Sequence, residues 1–190
     1  MSERPADPCA IVIFGAGGDL TKRKLVPALY NLRCHGLLPA EFSIVGIGRA
    51  ELTHDTFREQ MGRDIREFAT IAVDAATWKE FEDRLYFLKA EFDDDASYRD
   101  LGTLLAEAQK KHGTAGNALF YLATPPAAFA TIAKRLAAAG LTREDPGCFR
   151  RVIVEKPFGR DLDSARALNA ELQAALGEHQ IYRIDHYLGK

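Results

Sequence analysis

The sequence predicts a doubly wound α/β fold, in which a mostly parallel sheet of about six strands carries helices on both faces. Two observations support this prediction. Short apolar, β-prone segments alternate with amphipathic helical segments along all 190 residues. The first strand also runs directly into a cluster of glycines, as in folds whose first turn approaches a phosphate. Together these observations indicate a Rossmann-type dinucleotide-binding domain.

The first strand and its glycine turn form the predicted ligand-binding end of the sheet. Ile11–Phe14 is continuously apolar, which is typical of a strand buried on both faces. The turn that follows consists of Gly15, Ala16, Gly17, Gly18, Asp19 and Leu20. Such a turn lets backbone N–H groups reach a pyrophosphate, and the basic residues 22–24 suit an anionic ligand. Leu20 replaces the third glycine of the G-x-G-x-x-G pattern, so a turn with a purely structural role is the alternative.

The first half of the chain continues the alternation. Pro27 predicts that the first helix either begins close to it or kinks there. Thr53 can cap a second helix, whose apolar residues recur at helical spacing, and a shorter helix follows it. The second and third strands are predicted at 42–47 and 85–92.

The second half repeats the pattern. Gly140 closes one of its helices, and either Asp161 or Asp163 caps the last one. Strands are predicted at 118–123, 151–154 and 180–184, and helices at 96–111, around 129–136 and around 162–175. No repeat, low-complexity tract or flexible linker interrupts the chain. Residues 9–184 are therefore predicted to form one dinucleotide-binding domain.

Composition and charge exclude several classes of protein. With 47% apolar residues, 27% charged residues and a formal net charge of −2, the chain resembles an ordinary soluble protein rather than a disordered or nucleic-acid-binding one. No segment approaches the roughly 18 apolar residues of a membrane span, and no signal peptide is recognisable. The cysteines Cys9, Cys34 and Cys148 form neither a disulfide framework nor a metal-binding pair. We therefore expect a cytoplasmic protein without a metal site.

Glycine-rich and polar segments follow the predicted strands. Because the carboxyl ends of parallel strands meet at one edge of a sheet, these segments should lie close together and form a ligand site. They are Gly15–Lys24, Gly48-Arg49, Asp93–Asp95, Thr124–Pro126, Glu155–Pro157 and Asp185–Lys190.

Arg49 follows the second strand, where a dinucleotide-binding fold selects its cofactor. An acidic residue at this place binds the ribose hydroxyls of NAD, whereas an arginine can pair with the 2′-phosphate of NADP. Arg49 therefore favours NADP. The alternative is a solvated arginine beside Glu51.

Lys156 and a cluster at the end of the chain are the candidates for binding a substrate. Lys156 precedes Pro157, which biases its backbone towards an extended conformation that directs the ammonium into the crevice. The alternative is a salt bridge with Glu155, Asp161 or Asp163. The cluster, whose side chains can bind a phosphate or orient an imidazole, consists of Asp185, His186, Tyr187 and Lys190. Its alternative role is a helix cap followed by a surface histidine.

Several of these segments resemble the glucose-6-phosphate dehydrogenase family. The resemblance rests on Gly15–Lys24, Tyr121–Pro126, Glu155–Gly159 and above all Arg183–Lys190, and it covers nearly the whole chain from Ala10 onward. It implies oxidation of C1 of glucose 6-phosphate to the lactone, with hydride transfer to the nicotinamide of NADP. This reaction is the entry step of the pentose phosphate pathway.

The resemblance also implies a role for each candidate residue. The pyrophosphate of the cofactor would lie on the turn from Gly15 to Leu20, and the 2′-phosphate on Arg49. Lys156 would contact both cofactor and substrate and orient one against the other. Asp185 would orient a general-base histidine that is not in this chain. The sugar phosphate would be bound by His186, Tyr187 and Lys190.

Members of this family run to more than twice the length of this chain, and their general-base histidine lies in a second domain. We therefore expect residues 185–190 to begin the segment that leads into such a domain. We also expect this chain alone to bind cofactor with negligible turnover, and the full-length protein to form a homo-oligomer through the second domain. An NAD(P)-sensing or regulatory module that has lost catalysis is the alternative.

Gly17 departs from the pattern of the family, in which Ser, Thr or Lys often stands at this position and can reach the 2′-phosphate. Without such a side chain Arg49 is more isolated. Use of NAD alongside NADP is therefore credible for this chain.

Overall fold

A computed structural model describes residues 4–184, and its strands form one sheet in which all neighbouring pairs are parallel. The strands are β1 (Cys9–Phe14), β2 (Phe42–Gly48), β3 (Leu85–Lys89), β4 (Ala118–Leu122), β5 (Arg150–Glu155) and β6 (Ile181–Ile184). Their order in the 6-stranded sheet is β3-β2-β1-β4-β5-β6, so the direction of winding reverses between β1 and β4. This reversal opens a crevice at the carboxyl ends of those two strands.

Helices connect successive strands and cover both faces of the sheet. They are α1 (Val26–Cys34), α2 (His54–Phe68), α3 (Ala75–Glu82), α4 (Asp95–His112), α5 (Phe129–Ala138) and α6 (Leu162–Ala175). A π-helical turn, Thr21–Leu25, precedes α1, and short 3₁₀ turns occupy Pro126–Ala128 and Glu178–Gln180. The predicted doubly wound fold is confirmed. Among the described residues, no helix has both the length and the apolar character needed to cross a membrane.

Two hydrophobic cores lie on opposite faces of the sheet. Ile11 and Ile13 point to the core that α1, α2 and α3 complete, whereas Val12 and Phe14 point to the core completed by α4, α5 and α6. Every residue of β1 is buried because this strand lies between β2 and β4 with helices above and below. This double burial explains why β1 is a continuous apolar run instead of an alternating one.

Local signals fixed most helix ends as expected. Helical backbone begins at Asp19 and passes through the π-helical turn, and the regular α-helix begins at Val26 beside Pro27, which was the first of the two expected outcomes. Thr53 caps α2, because its side chain accepts a hydrogen bond from Thr56 N. Asp161 caps α6 in the same way, with Ser164 as the donor, and Gly140 has the positive φ of a residue that closes a helix.

The prediction that the third strand extends to Phe92 is wrong, because β3 ends at Lys89. Lys89 pairs with Gly48, the last residue of β2, and the N–H of Ala90 donates the final hydrogen bond to Gly48 O at 3.0 Å. Beyond this point β2 offers no backbone partner. The residues from Glu91 onward are therefore available to the ligand edge of the sheet.

A partly buried histidine makes the stability of the fold depend on pH. His112 Nε2 lies 2.7 Å from the Tyr86 hydroxyl, and burial, reinforced by Arg84 and Lys111, lowers the pKa of His112 from 6.5 to about 4. The neutral form is thus favoured in the folded state. The unfolded chain takes up a proton on His112 near pH 6.5, whereas the folded protein does so near pH 4. The contribution of His112 to the free energy of unfolding is therefore complete above pH 6.5 and is lost as the pH falls towards 4.

We predict that the free energy of unfolding falls by about 1 kcal/mol more between pH 7 and pH 5 in the parent chain than in His112→Gln, a value discounted for partial exposure. Glutamine keeps an acceptor for the Tyr86 hydroxyl but does not titrate. Urea unfolding at both pH values measures the difference. Equal pH dependence in the two proteins would show that His112 does not carry it.

Candidate functional site

Gly15 allows the ends of β1 and β4 to meet. Its φ is +88°, and a Cβ at this position would lie 2.3 Å from the carbonyl oxygen of Ala123. Both the backbone conformation and the contact therefore require glycine. The close approach places the turn that follows β1 directly against the end of β4, at the crevice where the sheet order reverses.

The N–H groups of the glycine turn are partly bonded within the protein and, among the described residues, partly unpaired. Gly15 N and Ala16 N both donate to Ile47 O at 2.9 Å, and Gly18 N donates to Gly15 O at 2.9 Å. Within residues 4–184 no acceptor is recorded for the N–H groups of Gly17, Asp19 and Leu20. These groups lie where the helix begins and where its dipole favours negative charge, so they form the part of the turn that can bind a phosphate.

Two of the three basic residues at 22–24 pair with other residues of the protein. This role differs from the contact with an anionic ligand that the sequence predicts for them. Lys22 Nζ lies 3.6 Å from Asp64 Oδ1 on α2, and Asp64 is only 4% exposed. Burial raises the pKa of this carboxyl and Lys22 opposes the shift. Arg23 pairs with Asp19 at 3.5 Å and lies over the Phe68 ring. The basic run thus fixes the π-helical turn to α2.

A cleft with a volume of about 650 Å³ opens beside the glycine turn, and we call it the β4–β5 cleft. The carboxyl ends of β4, β5 and β6 form it together with the start of the helix after the turn. Its lining residues are Leu20, Ala123, Thr124, Glu155, Lys156, Pro157 and Ile184. Lys156 therefore lines the crevice, and its expected role towards a ligand stays a prediction.

Thr124, which lines the β4–β5 cleft, carries a polar atom without a hydrogen-bond partner within residues 4–184. Its Oγ1 is buried and has no hydrogen-bond partner among the described residues. Leaving a buried hydroxyl unpaired costs about 1–3 kcal/mol, so a ligand that supplies a donor or acceptor here gains that energy. The sequence identified Thr124–Pro126 as a strand end at the ligand edge but assigned no role to the threonine. Its position after β4 was the available signal.

Tyr121 and Glu155 form a hydrogen-bonded pair beside Lys156. The Tyr121 hydroxyl donates to Glu155 Oε1, and burial, with the Glu155 carboxylate as the next cause, raises the pKa of Tyr121. The hydroxyl therefore remains a donor at neutral pH. Of the carboxylates considered as partners of Lys156, Asp161 caps α6. The peptide bond between Lys156 and Pro157 is cis. The pair fixes the carboxylate next to Lys156, a contact between neighbouring strands that the sequence did not show.

A second cleft, with a volume of about 350 Å³, lies near the carboxyl ends of β2 and β3, and we call it the β2–β3 cleft. Its lining residues are Arg49, Glu91, Phe92, Asp93, Pro125, Ala127, Ala128 and Thr131. The structure thus brings Arg49 and Asp93 together. Arg49 is exposed, as in the alternative of a solvated arginine, and the neighbouring carboxylate of Glu51 pairs with Lys89.

The rest of the acidic cluster after β3 has local roles. Asp94 accepts hydrogen bonds from Ala96 N and Ser97 N and thereby caps α4. Asp95 pairs with Arg135 on α5. Of this cluster, only Asp93 lines the β2–β3 cleft within the described part of the chain.

Gly17 lies between the two clefts and has room for a side chain. A Cβ on Gly17 would find nothing within 4 Å, and its φ is not in the left-handed region. A Cβ on Gly48, at the end of β2, would lie 3.8 Å from Gly17 N. Gly17 therefore adjoins the end of β2, immediately before Arg49.

The predicted substrate cluster cannot be placed in this site. Asp185, His186, Tyr187 and Lys190 lie outside the described residues. Their expected roles stay predictions.

A parallel sheet of this strand order, with a glycine turn between two clefts at the point where the winding reverses, defines a dinucleotide-binding domain of the type found in dehydrogenases. A comparison with family models matches residues 12–190 to the model described as glucose-6-phosphate dehydrogenase, NAD binding domain. The chain belongs to the glucose-6-phosphate dehydrogenase family, and it corresponds to the NAD-binding domain of that family.

Individual relatives agree with this assignment. The chain is similar to the glucose-6-phosphate 1-dehydrogenase of Chlamydia pneumoniae, with 45% identity over 192 residues that cover 100% of this chain and 38% of the relative. The Bacillus subtilis enzyme of the same name is 41% identical over 190 residues, which cover 100% of this chain and 37% of the relative.

Solved structures give the same result. A glucose-6-phosphate dehydrogenase in complex with its substrate glucose 6-phosphate superimposes with a TM-score of 0.84 at 34% identity, covering 100% of this chain and 39% of that one. The glucose-6-phosphate 1-dehydrogenase of Mycobacterium avium gives 0.79 at 35% identity, covering 96% and 37%. The chain thus spans less than two fifths of the length of the relatives it matches.

Proposed function

We propose that this chain is the cofactor-binding part of an enzyme that oxidises glucose 6-phosphate to 6-phosphogluconolactone and transfers the hydride to NADP. The observation that carries the proposal is the pair of clefts on either side of the glycine turn. One contains Arg49 and the other contains Lys156. Membership of the family supports the substrate, and the charges of the two clefts support the assignment of the two halves of the cofactor.

The glycine turn and the two clefts suit different parts of a dinucleotide. The N–H groups of Gly17, Asp19 and Leu20 would hold the pyrophosphate at the start of the helix. The adenosine half would lie in the β2–β3 cleft, where the guanidinium of Arg49 can bind a 2′-phosphate. The nicotinamide half would lie in the β4–β5 cleft, where the unpaired Thr124 hydroxyl can bond to it.

The β4–β5 cleft has the groups needed to position a sugar next to the cofactor. When NADP is bound, its nicotinamide ring supplies the hydride acceptor. The Lys156 ammonium can donate hydrogen bonds to sugar oxygens and hold them against that ring. A module that only senses NAD(P) would not need such a residue at the nicotinamide end, so Lys156 favours the enzyme over the regulatory alternative.

Two opposing groups of charges set the cofactor preference in the β2–β3 cleft. Arg49 attracts a 2′-phosphate, whereas Glu91 and Asp93 line the same cleft and repel it. Gly17 contributes no side chain. We therefore propose a preference for NADP that is moderate, with NAD also used.

Gly17→Ser should raise the affinity for NADP about 3- to 10-fold while leaving the affinity for NAD within about twofold, because one added hydrogen bond contributes about 0.5–1.5 kcal/mol. The site has space for the hydroxyl, so the free energy of unfolding should change by less than about 0.5 kcal/mol. Titration calorimetry with both cofactors measures the effect. Gly17→Ala is the matched control, and an equal gain in this variant would exclude the hydroxyl as the cause.

A domain exchange tests the proposed reaction. This chain replaces the matching 192 residues of the Chlamydia pneumoniae relative, and glucose-6-phosphate-dependent formation of NADPH is measured. We expect turnover within about tenfold of the parent enzyme, and a loss of about 100-fold in Lys156→Ala that Lys156→Arg partly restores. The 190-residue chain alone should bind NADP with negligible turnover.

The parent relative and the Lys156 variants serve as controls for folding. A chimera that is folded and binds NADP but does not oxidise glucose 6-phosphate would contradict the proposed reaction. Appreciable turnover by the isolated chain would contradict the proposed division of roles between this chain and a second domain.

The proposal includes a cytoplasmic location and, for the full-length protein, a homo-oligomer formed through the second domain. Cys9, Cys34 and Cys148 are all free thiols, which suits a reducing compartment.

A further inference from the structure

A cavity lined by both polar and apolar residues lies at the end of the sheet opposite to the two cofactor clefts. It is bounded by Ala10 at the start of β1, Asn117 just before β4 and Arg150 at the start of β5, with Gln109 of α4 and Thr114 closing it. Its volume is about 110 Å³, which is room for several water-sized groups. Among the described residues, none assigned to the proposed cofactor or substrate site lies at this end of the sheet.

Arg150 brings to this cavity a positive charge that has no ion pair among the described residues, although the carboxylate of Asp145 acts on it from a distance. Its guanidinium is partly buried, and burial lowers the pKa of the group without removing its charge at neutral pH. Within residues 4–184 no ion pair or hydrogen bond of this guanidinium is recorded. No nitrogen of this guanidinium is fully buried, so an anion that enters the cavity can reach it and form a charge-assisted hydrogen bond.

The carboxylates near Arg150 are engaged elsewhere. Asp145 Oδ1 lies 3.3 Å from Arg143 Nη2. Glu144 accepts from the backbone N–H of Arg150 through one oxygen at 2.8 Å, and its other oxygen lies 2.7 Å from His179 Nε2. Of the described residues that line the cavity, none is an Asp or Glu.

Of the other polar side chains that line the cavity, one is held by hydrogen bonds and two can donate to a ligand. The Asn117 amide donates to Pro8 O at 2.8 Å and accepts from Phe149 N at 2.8 Å, so this side chain holds the wall in place. Thr114 is 2% exposed, and Gln109 is exposed at the opening. For the side chains of Thr114 and Gln109, the described part of the chain provides no recorded hydrogen-bond partner.

We propose that this cavity binds a small oxyanion, either a phosphate or a carboxylate, through the guanidinium of Arg150 with the side chains of Thr114 and Gln109. The planar fork of a guanidinium binds two oxygens of such an anion at once, and the hydroxyl and amide donate to the others. The site is separate from the phosphates of the cofactor, which bind at the other end of the strands. It is independent of the proposed reaction.

Nuclear magnetic resonance of the ¹⁵N-labelled 190-residue chain tests this site, with NADP at saturation so that cofactor clefts do not compete. Sodium phosphate and, in a second series, sodium acetate are added at constant ionic strength maintained with chloride. We expect saturable shifts of the amide signals of Gly116 and Asn117 and of the Gln109 side chain with at least one of the two anions. The series that gives them identifies the anion as phosphate or carboxylate.

Arg150→Gln should weaken this binding at least about tenfold, since a hydrogen-bonded charge pair is lost. Lys110→Gln, which removes an exposed cation beside Gln109 that does not line the cavity, should leave it unchanged. If Arg150→Gln does not fold, the titration of the parent chain is sufficient, because the amide signals that shift identify the residues that contact the anion. Absence of saturable shifts with both anions, or unchanged binding in a folded Arg150→Gln, would overturn the proposal. The NADP affinity of Arg150→Gln should be unaltered, so a failure of this anion site is distinguishable from a failure of the proposed function.

Discussion

Gly15→Ala should abolish measurable binding of NADP and destabilise the chain by about 3 kcal/mol. A methyl group at this position would lie 2.3 Å from the carbonyl oxygen of Ala123, in a backbone conformation with φ of +88° that alanine rarely adopts. Relief of this contact must separate the turn from the end of β4. Thr124 would then move with Ala123, and the N–H groups of the turn would no longer face the same crevice.

Urea unfolding and titration calorimetry with NADP measure the two effects of this substitution. Gly17→Ala is the matched control, because a Cβ on Gly17 has nothing within 4 Å. It should keep cofactor affinity within about twofold and change the free energy of unfolding by less than about 0.5 kcal/mol. Binding by Gly15→Ala that equals binding by Gly17→Ala would mean that the turn does not hold the pyrophosphate.

Arg49→Ala should weaken the binding of NADP about 10- to 100-fold and leave the binding of NAD within about twofold. The two cofactors differ only in the 2′-phosphate, and a charge-assisted hydrogen bond contributes about 1.5–3 kcal/mol. Because Glu51 pairs with Lys89, its carboxylate does not compete for the guanidinium. After the substitution, the carboxylates of Glu91 and Asp93 would remain in the cleft and would repel the phosphate without opposition.

Calorimetry with both cofactors, at two salt concentrations, tests the role of Arg49. Arg49→Lys is the control, since it keeps the charge and loses the planar fork, and it should lie between the parent and the alanine variant. The NADP affinity of the parent should also fall more steeply with salt than that of Arg49→Ala. An equal loss for NAD and NADP in Arg49→Ala would contradict the role assigned to this residue.

The fold could be predicted from the sequence because its signals are local. Continuous apolar runs marked strands buried on both faces. Thr53 marked a helix end through its side-chain cap, whereas Gly140 and Pro27 did so through their backbone conformation. The end of β3 could not be predicted in this way. Strand β3 ends where β2 no longer offers backbone hydrogen-bond partners. The last pair, Gly48 and Lys89, joins residues far apart in the chain, and the sequence does not show this register.

The site was predictable in outline but not in its contacts. Because residues that follow parallel strands meet at one edge of a sheet, the sequence placed Arg49 and Lys156 at the same edge. The structure shows both residues lining clefts there. Asp64 was missed because its role depends on Lys22, which comes from a different helix. The unpaired Thr124 hydroxyl was missed because burial of a single atom follows from packing around the crevice, which no sequence pattern records.

A crystal structure of this chain with NADP would show whether one dinucleotide crosses the glycine turn and occupies both clefts. We expect the pyrophosphate against the N–H groups of Gly17, Asp19 and Leu20, and the 2′-phosphate against Arg49. The nicotinamide should lie in the β4–β5 cleft beside Thr124 and Lys156. A cofactor bound in the reverse direction, or outside these two clefts, would contradict the account.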